Sequence, residues 1–343
     1  MKITNVRAVQ PPTPGSPEDW RTWLGQILVR VDTDAGVVGY GVGGGGAAGV
    51  HVVQTVLREV LIGEDPTDVE ALWERMYRHT LPYGQKGLAM MAISGVDLAL
   101  WDLRGKRVEK PLVEVLGGQA GVVMPAYRTG WSPEEVARGR DEGYHALKLH
   151  MGKMTPDEAV EQLFEVREIL DDDVELMADA FMLWDLDTAL DVVQRIEDCN
   201  LVWLEEPLPC DDLEGYAALR DVSRVPIAGG EHEYTAKAFE HLMRDGLHRV
   251  FQPDVCWCGG LTELVKIYEM QKKYGGRVCP HRGSEVWALH AIAALDPEPL
   301  AESGRPWIDW VEGQPEIVDG KIQLGNAPGF GVTFDDSLWD TET

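Results

Sequence analysis

Five short apolar runs recur in the second half of the chain, and each one ends at a charged or titratable residue. The runs are Glu175–Asp179, Leu201–Glu205, Ile227–Glu231, Arg249–Asp254 and Arg277–His281. Segments of helical length separate the runs, and Asp179, Glu205 and Glu231 are spaced 26 residues apart. This spacing suits one strand, one helix and two loops. The pattern therefore predicts strands that alternate with helices in a parallel sheet.

The alternation extends beyond these five runs. Residues 122–127 and 145–151 predict two earlier strands, and Pro299–Glu302 predicts an eighth. Eight such strands predict an α/β fold, a modified TIM barrel of the (β/α)7β type, in which functional side chains gather at the carboxyl ends of the strands. Because the titratable residue of each run stands at that end, the pattern indicates an active site.

The amino-terminal third has a different pattern, which predicts an α+β capping domain. It contains a strand, a hairpin and three helices, at about residues 2–10, 26–42, 48–61, 67–80 and 88–107. We expect the cap to span residues 1–118, the barrel 119–306, and a C-terminal segment, 307–343, to pack back on the cap. That segment contains a predicted hairpin at Glu316–Leu324.

Two features of the predicted cap bear on function. We expect a flexible lid over the barrel, formed by the loop near Trp20–Arg21 and the glycine-rich stretch Gly41–Gly46. A phosphate-binding loop is the other interpretation of the glycines, but the Lys-Ser/Thr pair that such loops carry does not follow them. Asp97 lies within an apolar helical pattern, so we expect a buried carboxylate whose hydrogen bonds are satisfied.

Composition narrows the class of protein. The chain has 343 residues and a net charge of −27, which disfavours nucleic acid and anionic membranes as partners. The acidic residues are spread along the chain, as on a soluble surface or in a protein from a high-salt cytoplasm. The five cysteines are scattered along the chain, which predicts reduced thiols. The sequence shows no charged-then-apolar leader and no long apolar run, so we expect a cytoplasmic protein.

The first candidate site is a metal centre. Asp179, Glu205 and Glu231 end adjacent strands, where three carboxylates would repel one another and raise each other's pKa. A hard divalent cation would relieve this repulsion, and a ligand set of oxygen atoms alone favours Mg²⁺, with Mn²⁺ as a possible substitute. Strand alternation predicts that the neighbouring Glu206 faces the opposite way.

The remaining candidates are catalytic. Asp254 and His281 end consecutive strands, and a carboxylate beside an imidazole makes a general base. Lys148 and His150 stand two residues apart on the second strand, so both face one side and could act opposite His281. Glu302 ends the last strand and could donate a hydrogen bond to a developing enolate oxygen, provided that its pKa is raised.

With these residues the chain resembles the enolase superfamily and, within it, the mandelate racemase-like group. In that group it is most similar to the rhamnonate-type branch of acid-sugar dehydratases. The resemblance spans nearly the whole chain. It is carried by residues 93–102, 116–118, 203–207, 230–234, 252–254, 259–263, 280–281 and 328–331. Of these, Gly230-Glu-His-Glu-Tyr234 and Pro280-His281 are typical of the rhamnonate-type branch.

The resemblance implies roles for the candidate residues. It implies Asp179, Glu205 and Glu231 as metal ligands and the pair Asp254 and His281 as base and then acid. It also implies Glu302 as partner of the enolate oxygen and Lys148 as a contact of the substrate carboxylate. His150 stands where related proteins have a second, basic lysine, which makes it a second base, a substrate contact or a spectator.

The sequence therefore predicts a magnesium-dependent dehydratase of an aldonic acid, which acts on a small sugar acid and forms a homo-oligomer. Two alternatives stay open. One is a racemase or epimerase that uses Lys148 or His150 and His281 as opposed bases. The other, of a different class, is a non-catalytic binding barrel.

Overall fold

The amino-terminal segment forms a three-stranded antiparallel sheet in the computed structural model, which describes residues 1–12, 24–171, 173–283, 285–303 and 309–339. Its strands are β1 (Ile3–Val9), β2 (Ile27–Thr33) and β3 (Val38–Gly43). The predicted hairpin of β2 and β3 is confirmed, with Gly36 in the turn at a φ of 74°. The loop around Trp20–Arg21 lies outside the described residues.

Helices pack against this sheet and against one another. They are Gly46–Val52, the π-helical turn Val53–Leu57, Arg58–Leu61, Val69–Thr80, Leu88–Arg107 and the short Leu112–Val115. The helix Leu88–Arg107, hereafter the cap helix, is buried along most of its length. It packs against β2 and β3 and forms the centre of the cap.

Part of the glycine-rich stretch belongs to this packing, so the prediction of a flexible lid is wrong for the residues that lie in β3. Gly41 and Gly43 lie in β3, directly against the backbone of the cap helix. A Cβ at Gly41 would lie 2.3 Å from the carbonyl oxygen of Gly95, and one at Gly43 would lie 2.4 Å from that of Met91. The glycines allow a helix and a strand to approach more closely than any side chain would permit.

The apolar runs of the sequence become the strands of a barrel. Within the described part of the chain these strands are β4 (Val123–Gly130), β5 (Ala146–His150), β6 (Glu175–Asp179), β7 (Leu201–Glu205), β8 (Ile227–Gly229), β9 (Val250–Phe251), β10 (Arg277–Val278) and β11 (Ala301–Glu302). Parallel pairing runs in chain order from β4 to β10, and Ala301 of β11 pairs with Ala126 of β4. The predicted (β/α)7β barrel is confirmed.

Helices connect the barrel strands and lie outside them. They are Pro133–Asp141, Pro156–Ile169, Leu186–Arg195, Leu213–Val222, Thr235–Arg244, Leu261–Tyr274 and Val286–Leu295. Several begin at the side-chain caps that the sequence supplies, such as Thr155, which forms a capping box with Glu158. None of the helices that the structure describes is both long and apolar enough to cross a bilayer.

One layer of side chains fills the barrel interior and decides where the functional residues stand. The layer takes one residue from each strand or from the position directly beside it, namely Tyr127, Ala146, Met177, Trp203, Ala228, Val250, Cys279 and Leu300. Side chains alternate along a strand, so the residue two positions later again points inward, one level nearer the mouth. For β5, β6 and β7 that residue is Lys148, Asp179 and Glu205.

The cap is hydrogen-bonded to the barrel through a buried carboxylate. Asp97 of the cap helix accepts hydrogen bonds from the backbone N–H of Thr262 at 3.0 Å and from its hydroxyl at 2.6 Å. Trp101 Nε1 donates to the same hydroxyl at 2.9 Å, and Trp73 Nε1 donates to the carbonyl of Gly259 at 2.7 Å. These contacts agree with the prediction of a satisfied, buried Asp97.

The C-terminal segment contacts both parts of the molecule. The predicted hairpin is present as β12 (Ile317–Val318) and β13 (Lys321–Gln323), and β13 pairs antiparallel with the first three residues of β4. Further on, the N–H of Phe330 donates to Asp102 of the cap helix at 3.0 Å. The domain limits at residues 118 and 306 stay predictions.

Candidate active site

A buried ammonium group lies at the centre of the barrel mouth. Lys148 is only 1 % exposed, and its Nζ lies 2.7 Å from Glu205, 2.8 Å from Glu302 and 3.4 Å from Asp179. Burial would lower the pKa of Lys148, but the charges of Glu205 and Glu302 outweigh it and raise the pKa well above its usual value. Lys148 is therefore a fixed positive charge and not a base.

The three carboxylates predicted to bind metal are all buried at this mouth. Burial and mutual repulsion raise the pKa of Asp179 to about 6 and that of Glu205 to about 7. Burial also raises the pKa of Glu231, although His281 and His232 oppose the shift. The rise in pKa that we expected for three neighbouring carboxylates is therefore present. All three donors are carboxylate oxygens, and the pKa values of Asp179 and Glu205 stay raised even with the ammonium of Lys148 beside them. Such a set fits a hard divalent cation.

His281 is held between two carboxylates. Its Nδ1 donates to Asp254 at 2.9 Å, and its Nε2 lies 3.2 Å from Glu231. Burial lowers the pKa of His281, but the charge of Glu231 and the hydrogen bond to Asp254 outweigh this and raise it to about 10. The sequence-based pairing of Asp254 with His281 is present, and Nε2 faces the carboxylate cluster.

Arg282, which the sequence patterns did not indicate, contacts two of the predicted catalytic residues. Its guanidinium lies 3.2 Å from Asp254, and its backbone N–H donates to Glu302 at 2.8 Å.

Gln252 and Thr129 were also missed: Gln252 Nε2 donates to Glu205 at 2.7 Å, and the hydroxyl of Thr129 donates to Glu302 at 3.0 Å. Gln252 and Thr129 stand two residues after Val250 and Tyr127 of the interior layer. Strand alternation from those two residues could therefore have predicted that both side chains face the mouth.

Glu302 differs from its prediction in charge. Burial alone would raise its pKa, but the nearby charges of Lys148 and His281 and the hydrogen bonds to Glu302 lower it to about 2. The expectation of a raised pKa and a protonated carboxyl is wrong for this arrangement. An ionised Glu302 accepts hydrogen bonds and holds Lys148 in place. A hydrogen bond from Glu302 to an enolate oxygen stays a prediction, which requires a protonated carboxyl.

His150 also faces the mouth, with its ring oriented by the backbone. Its Nδ1 accepts the N–H of Gly152 at 3.0 Å, so in the neutral ring the proton lies on Nε2, 3.9 Å from Asp179. Burial and the charge of Lys148 lower the pKa of His150 to about 4. This tautomer presents a hydrogen-bond donor to the mouth.

Glu206 corrects a prediction about orientation. Strand β7 ends at Glu205, and Glu206 has a φ of 35°, so the alternation that would turn its side chain away no longer applies. The carboxylate instead accepts a hydrogen bond from His232 Nδ1 at 2.8 Å, and His232 Nε2 lies 3.5 Å from Glu231. Ligand atoms of Glu206, Glu231 and His232 all lie within 4.8 Å of one another. The two ring nitrogens face different carboxylates, so His232 links them: it is hydrogen-bonded to Glu206 and forms an ion pair with Glu231.

Comparison with known families defines the class of protein to which this fold and site belong. Residues 132–338 match the enolase C-terminal domain-like family, and residues 21–117 match the mandelate racemase / muconate lactonizing enzyme N-terminal domain. The chain therefore belongs to the mandelate racemase and muconate lactonizing enzyme family of the enolase superfamily. The resemblance found in the sequence is confirmed.

Individual relatives narrow the comparison. The chain is 36% identical over 334 residues to L-rhamnonate dehydratase of Saccharopolyspora erythraea, covering 90% of this chain and 83% of that protein. It is 33% identical over 342 residues to arabinonate dehydratase of Saccharolobus solfataricus, covering 92% and 89%.

Two solved structures are also similar. L-Talarate dehydratase from Polaromonas sp. JS666, complexed with Mg and L-glucarate, has a TM-score of 0.88 at 30% identity and covers 99% of this chain and 96% of its own. A racemase from Streptomyces coelicolor A3(2) with bound magnesium has a TM-score of 0.88 at 30% identity, covering 98% of each chain.

Proposed function

We propose that the protein is a magnesium-dependent carbon–oxygen lyase that dehydrates a sugar acid, in particular an aldonic acid, to a 2-keto-3-deoxy acid. The named relatives that dehydrate sugar acids support the class of reaction. The observation that carries the proposal is the position of His281, which is bonded to Asp254 and lies 3.2 Å from Glu231 at the same mouth as Lys148.

In this proposal Asp179, Glu205 and Glu231 hold Mg²⁺, and Mn²⁺ can replace it as another hard cation. When bound, the ion would withdraw charge from the substrate carboxylate and so make the neighbouring α-carbon more acidic. The bridge from Glu206 through His232 would keep Glu231 in position, as partners of metal ligands commonly do.

Proton transfer falls to His281. The charge of Glu231 is the main reason for the raised pKa of His281, so a cation bound by Glu231 would lower that pKa and free Nε2. Nε2 then takes the α-proton while Nδ1 keeps its hydrogen bond to Asp254, which stabilises the imidazolium. The electron pair of the broken C–H bond moves onto the substrate carboxylate, where the ammonium of Lys148 stabilises the added charge. His281 then returns the proton to the 3-hydroxyl, the C3–O bond breaks and water leaves. The enol that remains tautomerises to the 2-keto-3-deoxy acid.

The same geometry disfavours the two-base racemase. Lys148 is held charged by Glu205 and Glu302, and His150 carries its proton on the nitrogen that faces the mouth. Neither group is placed to accept a proton opposite His281. Product analysis separates the two reactions, because a dehydratase yields a keto acid that reacts with semicarbazide and a racemase yields only the inverted α-carbon.

The decisive experiment is His281→Asn, with His241→Asn as the matched control, because His241 is exposed on the helix Thr235–Arg244. We expect His281→Asn to slow exchange of the α-proton in deuterated water by about 10²–10⁴-fold, with Mg²⁺ affinity kept. Undiminished exchange in this variant would refute the role of His281. Absence of Mg²⁺ binding by calorimetry in the wild type would favour a non-catalytic barrel instead. The expected homo-oligomer is testable by light scattering.

A further inference from the structure

A row of aromatic and imidazole rings follows the rim of the barrel mouth. We call it the aromatic arc, and its members in order are Trp131, His150, Phe181, His232, Trp257 and His281. Neighbouring ring centroids lie 3.8, 5.6, 5.9, 6.0 and 6.2 Å apart along that order. Each ring stands at or after the end of a different barrel strand, so tertiary structure alone assembles the arc.

The two ends of the arc differ in exposure. At one end, Trp257 is 9% exposed and adjoins the proposed base His281. At the other end, the Trp131 side chain is 55% exposed and that of Phe181 is 42% exposed. The ring of Trp131 stacks on His150 at an interplanar angle of 25°, which leaves its other face open. Large apolar groups held open to solvent at an active-site mouth commonly mark a ligand surface.

The backbone at Phe181 supports the same conclusion independently. Phe181 has a φ of 46° and Met182 a φ of 60°, in the left-handed region that bulky residues avoid. The turn is held by the N–H of Phe181, which donates to Asp179 at 3.0 Å, and by the N–H of Met182, which donates to the carbonyl of Glu206 at 2.7 Å. A strained turn that ends in an exposed ring is not explained by core packing, and such strain concentrates at functional sites.

We propose that Trp131 and Phe181 are specificity-determining residues whose ring faces receive the C–H surface of the sugar-acid carbon chain beyond C3. The inference rests on the proposed function. With the substrate carboxylate at Lys148 in the centre of the mouth and the α-carbon beside His281, the rest of the carbon chain extends from the centre out to the rim at Trp131 and Phe181.

The chemistry of this end selects between two kinds of sugar acid. An aromatic face is electron-rich and attracts the weakly positive C–H edges of a polyol, whose hydroxyls can remain hydrated. Trp131 and Phe181 carry no positive charge to receive a second carboxylate, and the electron-rich ring face that attracts C–H edges repels an anion. The end of the arc at Trp131 and Phe181 therefore favours monocarboxylic aldonic acids over dicarboxylic aldaric acids.

The test compares Trp131→Leu and Phe181→Leu, which keep apolar bulk but remove the ring face. Val222→Ala, which trims a 50% exposed side chain at the end of the helix Leu213–Val222, is the control. We expect each leucine variant to raise KM for the best aldonic acid about 3–10-fold. We expect kcat to change less than twofold, Mg²⁺ affinity to stay constant, and the preference for aldonic over aldaric acid to fall.

A binding measurement separates the two proposals. In saturation-transfer NMR on the His281→Asn background, irradiation of aromatic protons should reach the C4–C6 protons of the bound aldonic acid. That signal should weaken in both leucine variants. If the wild type dehydrates aldonic acids while the leucine variants keep their KM, preference and transfer signal, the arc proposal is overturned and the function stands. If the wild type dehydrates no sugar acid, the proposed function is refuted. The transfer signal, and its loss in the leucine variants, then tests by itself whether the arc binds the carbon chain.

Discussion

Replacing Asp97 with Asn should change how stability depends on pH, because this carboxyl lies fully buried where the cap meets the barrel. Burial raises the pKa of Asp97 to about 8, although the hydrogen bonds from Thr262 lower it. In the unfolded chain the pKa of an aspartate is about 3.9. Between roughly pH 4 and pH 8 the folded protein therefore holds a proton that the unfolded chain has released.

Linkage then fixes the sign and the size of the effect. The folded state binds more protons in this window, so the contribution of Asp97 to stability falls as pH rises and is fully lost above the folded pKa. A shift of about four pH units, at about 1.4 kcal/mol for each, gives about 6 kcal/mol as an upper limit. The Asn variant cannot ionise, yet it keeps an acceptor oxygen for the N–H of Thr262.

The assay is the difference in unfolding free energy between wild type and Asp97→Asn, measured by urea unfolding from pH 5 to pH 9. The difference cancels contributions that the two proteins share. We expect it to move by several kcal/mol in favour of the Asn variant as pH rises. Thr262→Val removes a hydrogen bond that lowers the pKa, so it should shift the transition to higher pH. A difference that stays constant with pH would refute a protonated Asp97.

The other predictions concern the metal site and the packing of the cap. Glu206→Gln should weaken Mg²⁺ binding about 10–100-fold by calorimetry, because it disturbs the bridge to Glu231, whereas Glu233→Gln should leave the affinity unchanged. Mg²⁺ at 100 times its dissociation constant should stabilise the wild type by about 2.7 kcal/mol in thermal unfolding, and EDTA should reverse the gain. Gly41→Ala should cost about 1–3 kcal/mol, since the added Cβ meets the cap helix, while Gly325→Ala, with open space around it, should cost far less.

Much of the barrel and its site follows from local sequence. Apolar runs such as Leu201–Glu205 are long enough for strands and too short for helices, and they recur at the spacing of a βα unit. Because side chains alternate along a strand, a residue two positions after an interior one must also face inward. Lys148, Asp179 and Glu205 could therefore be placed at the mouth before any contact was known.

Other features depended on groups that are distant in sequence. Glu206 turns into the site because the strand ends one residue earlier, and Glu302 is ionised because Lys148 lies 2.8 Å away. The glycines of β3 are packing residues because the cap helix lies against them, which their own sequence does not reveal.

The sequence by itself determined the order of strands and helices and the set of acids at one end of the barrel, since periodicity and strand direction are local properties. Tertiary structure alone decided which groups carry charge and which rings stand beside one another. Charge states and ring contacts depend on distances across the barrel, and no local pattern encodes those distances.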